Sequence, residues 1–386
     1  MGRGLLLRDR AENLARIEPI ELFFDLVFVF AITQLSHLLL AHPSPRGAGE
    51  TLLLLMAVWS AWSFTAWTTS WFDSSTIPVR LLLIAIMVIS LFMGAAIPAA
   101  FGDDGLEFAI AFVAIQVGRN AWTILALGLG HSLSPSSLRV LIWSIALGAL
   151  WIGGGLLEGD VRLALWILAV ALDYVVTWFG FPIPGRANTR IPVWAISGGH
   201  LAERNELFII LALGESILLT GAAFGDLLRS VETVLALIVA FIGSVSLWWL
   251  YFDRGAAAGR DAIARSGNPG WLARSAYTYF HLPMVAGIIM TAGADELTIA
   301  HPLDTTTPEL TVLILGGPAL YLIGNALFNW ILSGLLPASR LMAIVALLIL
   351  LFTAGDVSTL SLMFAATLVL LALVGWNMRD RWRFSG

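Results

Sequence analysis

Asp25, Arg119, Asp173, Glu215 and His281 each interrupt a long apolar stretch of this sequence. In hydrocarbon such groups persist only when paired or facing a wet cavity, so each is a candidate for binding or moving an ion. A carboxylate can take up and release a proton, an arginine can balance it, and a histidine changes charge near neutral pH. The five are expected to form one buried polar network, with Glu21, Gln116, Asn120, His200, Arg204 and Asn325 as secondary members.

Helical spacing groups these residues further. At 100° per residue, Glu18, Glu21, Asp25 and Ser36 share one face, with Ile32 between them. Glu18 and Glu21 also suit a first helical turn behind Pro19, where acids oppose the helix dipole, whereas Asp25 lies beyond that turn. Gln116, Arg119, Asn120 and Thr123 fall near the middle of another stretch. Arg119 is too deep to snorkel and is expected to meet Asp25, Asp173 or Glu215, either as a working group or as a static pair that fixes helix packing. His200, Arg204, Phe208, Leu211 and Glu215 share a third face. Arg204 and Glu215 are eleven residues apart, about 16 Å along a helix, and cannot pair. Glu215 therefore needs another partner or holds a proton. His281 precedes Pro283, which frees a backbone carbonyl, so the ring serves either function or the kink.

Other chemistries find no support. There is no cysteine, no HExxH spacing and no phosphate-binding glycine loop, so neither a metal nor a cofactor is expected. Trp59, Trp62 and Trp67 are expected to pack, with Trp71 at a membrane interface.

The elements that position these groups follow from composition. Of 386 residues, 59% are hydrophobic and 12% charged, and mean hydropathy is +0.87. One soluble core cannot bury so much apolar surface. An all-α polytopic membrane protein of about twelve transmembrane helices is expected, with apolar stretches at 20–40, 51–71, 79–99, 106–128, 138–157, 161–180, 204–224, 231–251, 272–292, 309–334, 338–354 and 358–377. With the N-terminus inside, 17 arginines fall on the cytoplasmic side and three, Arg46, Arg162 and Arg229, on the other. That asymmetry persists to the C-terminus, as the positive-inside rule requires, and places both termini in the cytoplasm. The outer loops are read as acidic, with Asp103, Asp104, Glu158, Asp160, Asp295, Glu296 and Asp304. The N-terminus lacks a signal-peptide core, so the first helix is expected to serve as its own insertion signal.

Paired motifs recur in order. Glu18-x-x-Glu21-Leu22-Phe23 matches Glu203-x-x-Glu206-Leu207-Phe208, Trp71-Phe72-Asp73 matches Tyr251-Phe252-Asp253, and Gly118-Arg119-Asn120-Ala121 parallels Gly324-Asn325-Ala326. Ser137-x-Arg139 likewise parallels Ser339-Arg340. Two parallel six-helix repeats are expected, at 20–180 and 204–377. A cytoplasmic segment at 1–19, a linker at 181–203 and a tail at 378–386 complete the division.

The segment IELFFDLVFVFAITQLSHLL at 20–39 resembles the signature of the bacterial low-temperature-requirement protein A (LtrA) family. The resemblance continues through TWFGFPIPGRANT, GGHLAERNELFIILALGESI at 198–217, SLWWLYFDRG at 246–255 and YFHLPMVAGII at 279–289. It implies a multipass plasma-membrane protein linked to growth in the cold. The first helix is also similar to that of the potassium channels named for an F-S-D motif, through Arg16-Ile-Glu18, Phe23-Phe24-Asp25 and Phe28-x-x-Ala31-Ile32-Thr33. That similarity implies a pore lined by the first helix of each repeat and a gate near Ile32. Phe24 replaces the motif's serine, and the second half has Phe208-Ile209-Ile210 with no acid.

The resulting expectation is a transporter or channel-like protein for a small solute or ion, with proton coupling through Glu215. The alternative is a membrane-embedded enzyme acting on a lipid or isoprenoid, with Asp25 or Glu215 as proton donor and the tryptophans stabilising a cation. The expected partners are the lipid bilayer and the solute or ion, with no nucleic acid. The expected location is a bacterial plasma membrane, and a homo-oligomer is left open.

Overall fold

The computed structural model describes residues 6–7, 17–183, 198–225, 230–253, 259, 263 and 269–384. Among the described residues twelve long helices follow one another: α1 (Pro19–Ala41), α2 (Pro45–Trp71), α3 (Ile77–Ala96), α4 (Gly105–Leu127), α5 (Ser134–Leu156), α6 (Gly159–Trp178), α7 (Gly198–Gly225), α8 (Val231–Phe252), α9 (His281–Ala300), α10 (Pro308–Ser333), α11 (Ala338–Thr353) and α12 (Thr359–Phe384). Eleven spans among the described residues are long and apolar enough to cross a membrane, and the chain is an all-α polytopic membrane protein. The remaining helix, α11, has 16 residues, about 24 Å of rise.

Helix bounds differ from the sequence expectation where the ends are polar. α7 begins at Gly198, so residues 198–203 at the end of the expected linker are already helical, while residues 184–197 of that linker lie outside the described residues. α12 runs on to Phe384 through most of the expected tail. Asp295 and Glu296, expected in an outer loop, belong to α9, which extends to Ala300. Hydropathy ends that helix early because it weighs the two acids against lipid, whereas Asp295 is buried in protein and Glu296 partly so.

Local chemistry explains the ends. Pro19, Pro45, Pro78, Pro135 and Pro308 sit in first turns, where a missing N–H costs nothing. Ser230 and Thr307 cap α8 and α10 by accepting from Thr233 N at 3.1 Å and Leu310 N at 3.2 Å. Gly334 closes α10 in the left-handed region at φ 75°, donating to Trp330 O at 2.7 Å.

The helices form two compact units. The first comprises residues up to Leu38, Arg46–Arg204 and Ser266–Ala273; the second comprises Leu39–Pro45, Asn205–Arg265 and Arg274–Gly386. Within the first, α2 is the most enclosed of the candidate spans. Phe108, Phe112, Trp151 and Trp166 stack between α4, α5 and α6. α5 reaches these neighbours through glycine: a Cβ on Gly154 would lie 2.5 Å from the Trp166 ring, and one on Gly155 would lie 2.9 Å from Leu106 Cα. Arg162, expected on the outer side, is buried at the start of α6. It donates to the carbonyls of Gly154, Leu157, Ala100 and Gly102, so one side chain satisfies carbonyls at two separate turns.

In the second unit α9 packs on α10, α8 and α12, and α10 packs on α11. Gly287, Gly317 and Gly324 bring the backbones of α9 and α10 together. The α9–α10 and α11–α12 connections clasp through Thr306 N to Val357 O at 3.1 Å and Thr359 N to Asp304 O at 3.0 Å. A five-residue turn, Pro269–Ala273, and a π-helical segment, Arg274–Tyr279, lead into α9.

Candidate functional site

The first turns of α1 and α7 carry an interlocking set of charges. Glu21 and Asp25 are the third and seventh residues of α1, and His200 and Arg204 are the third and seventh of α7. Residues spaced i, i+4 lie one above the other on a helix face. Glu21 Oε2 meets His200 Nε2 at 3.0 Å, while Arg204 pairs with Asp25 through both Nη2, to Oδ1, and Nε, to Oδ2 at 3.1 Å. Because third meets third and seventh meets seventh, the two helices enter from the same side and run parallel here.

Every oxygen of the two carboxylates is engaged. Asp25 Oδ1 accepts from Trp62 Nε1 at 2.7 Å. Glu21 Oε1 accepts from Ser74 Oγ at 2.8 Å and lies 3.6 Å from Arg204 Nη1, while Oε2 accepts from Glu18 N at 3.0 Å. The last contact realises the helix-start role expected for Glu21, and the others add an ionic role that spacing alone did not reveal. Arg204 Nη1 donates to Thr69 Oγ1 at 3.0 Å, and its guanidinium lies 5.5 Å from the Phe24 ring and 5.9 Å from that of Trp62. All four ionisable side chains are fully buried. The two-pronged contact from Arg204 is made to Asp25, and its charge-assisted bonds favour the ionised form of that acid against burial. A carboxylate only accepts, so His200 Nε2 carries the hydrogen directed at Glu21.

A second charge site lies on the even-numbered helices of the same unit. Arg119 is the fifteenth residue of α4 and Asp173 the fifteenth of α6, so helices of one direction set them at one level. They do not touch directly. Arg119 Nη2 donates to Gln116 Oε1, Gln116 Nε2 to Ser60 Oγ at 2.8 Å, and Ser60 Oγ to Asp173 Oδ2 at 3.0 Å. Each donor points toward the carboxylate, so the relay carries the field of the cation to Asp173. Arg119 Nη1 also reaches Thr65 Oγ1 at 3.2 Å, and Asn120 Nδ2 binds Ser144 Oγ at 3.2 Å. Two cavities of about 20 Å³ flank the relay, one beside Arg119, Asn120 and Ser137, the other beside Gln116, Ser144 and Asp173. Each has room for a water molecule among polar groups. A lateral groove of about 470 Å³ between α3 and α4 is lined by apolar side chains, with Arg119 as its charged member.

α2 links the two sites, with Trp62 and Thr69 binding groups of the first and Ser60 and Thr65 binding groups of the second. Of the three acids considered for Arg119, Asp173 is the one joined to it by this relay. Asp25 takes Arg204 instead. The tryptophans expected to pack are buried, and Trp62 also binds a carboxylate.

The remaining candidates are distributed elsewhere. Ile32 is buried in the first unit, two turns beyond Asp25 on α1. Glu215 is half-buried on α7 in the second unit. His281, also in the second unit, lies within 5.6 Å of the rings of Tyr251, Tyr277 and Phe328. Its Nδ1 lies 2.9 Å from Ala276 O, in the π-helical segment, and its Nε2 lies 2.8 Å from Tyr251 Oη. A carbonyl only accepts, so Nδ1 carries the hydrogen and the neutral ring's Nε2 accepts from tyrosine. The bonded carbonyl belongs to the π-helical segment and lies three residues before that of Tyr279, the one a proline at 283 would free, so the ring does not satisfy the proline kink weighed for His281. Asn325 Oδ1 accepts from Arg340 Nε at the start of α11. No group of three or more His, Asp or Glu able to hold a metal occurs among the described residues.

These observations define the class: an all-α polytopic membrane protein with ionisable side chains sealed between its helices. Residues 16–375 match the family described as Bacterial low temperature requirement A protein (LtrA), and the chain belongs to that family. It is similar to Uncharacterized protein RA0937 of Rhizobium meliloti (strain 1021), 37% identical over 325 residues, which cover 84% of this chain and 80% of that protein. No solved structure matches.

Proposed function

We propose that this protein is a proton-coupled transporter or channel-like conductor of a small solute or ion in a bacterial plasma membrane, with both termini cytoplasmic and a role in growth at low temperature. The observation that carries the reading is the sealed α1–α7 site, where two carboxylates share one arginine and face one histidine. Such a site responds to a proton arriving on His200 by redistributing the bonds of Glu21, and a solute that alters those bonds is thereby coupled to the proton. The parallel entry of α1 and α7 supports an even number of crossings between them, in keeping with two parallel repeats, 20–180 and 204–377, joined by a cytoplasmic linker.

The lateral groove beside Arg119 favours contact with lipid, as an enzyme acting on a lipid would need. No carboxylate lines it, however, and the guanidinium is engaged with Gln116 and Thr65. Transport is therefore the better-supported reading.

Proton flux in reconstituted vesicles tests it. With a lumenal pH indicator and an imposed pH gradient, the wild type is expected to outpace protein-free vesicles. Glu21→Gln, which keeps the shape but removes the charge facing His200, is expected to slow flux about a hundredfold. Equal rates for the two proteins would remove this site from the mechanism.

A further inference from the structure

The second unit contains an acid that the α1–α7 site does not use. Asp295 is on α9, about 8 Å from its Ala300 end at 1.5 Å per residue. Its side chain is only 4% exposed, and Oδ2 is sealed without a hydrogen-bond donor. Among the described residues it has no cationic partner. The adjacent Glu296 places Oε2 in the same condition, although its side chain keeps partial exposure.

The charged groups on the elements packed around α9 do not change this balance. At this end of the unit, α8 begins with Glu232 in its first turn and α10 with Glu309, both acids. His301 pairs with Asp304 at 3.4 Å. Asp356 precedes α12, and His42 belongs to the segment whose Leu40 faces Gly293. Thr291 and Thr298, one turn away on α9, spend their hydroxyl hydrogens on Gly287 O and Ala294 O, both at 2.8 Å. An isolated carboxylate so placed would bear a desolvation cost that no neighbouring donor offsets, and binding a proton removes that cost.

We propose that Asp295 is a proton-binding site of the second unit: a neutral carboxylic acid whose proton exchanges with water through Glu296. The inference stands on the burial and surroundings of Asp295 and does not rest on the transport reading. Glu296 is the exchange partner because its Oε2 is also sealed without a donor at this end of α9, its side chain keeps partial exposure and it can itself carry the proton.

Infrared spectra of the purified protein in lipid films test this at neutral pH. Wild type minus Asp295→Asn is expected to show the loss of one protonated-carboxyl C=O band that shifts in D₂O, with the carboxylate stretches unchanged. Loss of carboxylate stretches instead would overturn the proposal. So would failure of the variant to fold, because asparagine is a neutral isostere of a neutral acid. Glu296→Gln is expected to leave that band in place while slowing its D₂O shift at least severalfold. An unchanged exchange rate would overturn the route through Glu296. The wild-type vesicle measurement can fail without altering any of these outcomes.

Discussion

Replacing Arg204 with glutamine is expected to lower stability by about 3–5 kcal/mol, because it leaves the sealed Asp25 carboxyl without its counter-charge. Asp25 receives two bonds from that guanidinium and one from Trp62, so the variant keeps only the indole N–H. Glu21 loses the same positive neighbour at 3.6 Å. The double variant Asp25→Asn/Arg204→Gln removes both charges and is expected to recover much of the loss, since two neutral amides can bond to each other. A thermal melt in detergent for the wild type, both single variants and the double variant yields the coupling energy. Additive losses would mean that the pair is not formed.

The second large effect belongs to the glycine seam of the other unit. A Cβ on Gly287 would lie 2.5 Å from Tyr321 N and 2.6 Å from Gly317 O, and one on Gly317 would lie 2.6 Å from Thr291 Oγ1 and 2.8 Å from its N. Two of the four obstacles are backbone atoms of the facing helix, and a third is backbone nitrogen on α9, so rotamer changes cannot make room. Gly287→Ala is expected to cost about 3 kcal/mol, the upper end for overpacking. Gly221→Ala is the control, because nothing lies within 4 Å of the added carbon. There the better helix propensity of alanine is expected to leave the melting temperature unchanged or raise it. A similar loss in both variants would contradict the close approach of α9 and α10.

The sequence made the architecture legible because the bilayer imposes one dominant rule on span length and another on arginine placement. Particular contacts were harder to see. The apolar stretch of the seventh helix begins at Arg204, which puts that residue at the helix start; a start at Gly198 moves it into the second turn, opposite Asp25. The two residues are 179 positions apart, beyond the reach of any local spacing argument. The α1 acids were legible as a face, and the E-x-x-E-L-F repeat drew attention to α7, yet that repeat aligns Glu21 with Glu206 rather than with His200, its actual neighbour. By contrast, the Arg119–Asp173 relationship follows from register, since both are fifteenth residues of helices with the same direction. The intervening Gln116 and Ser60 needed the structure, because a relay depends on side-chain geometry. Asp295 was misplaced for a general reason: hydropathy measures a helix against lipid and cannot recognise an acid enclosed by protein.

The account turns on whether the α1–α7 site exchanges a proton or is only a fixed ionic clasp. Solid-state NMR of ¹⁵N-histidine protein in lipid, with His200 assigned by its absence from His200→Gln, answers this across about pH 5 to 8. The ring nitrogens of His200 are expected to pass from the charged to the neutral pattern within that range, and Glu21→Gln is expected to move the transition. A His200 signal that stays in one charge state throughout would contradict proton exchange at this site and leave α1 and α7 joined by a static pair.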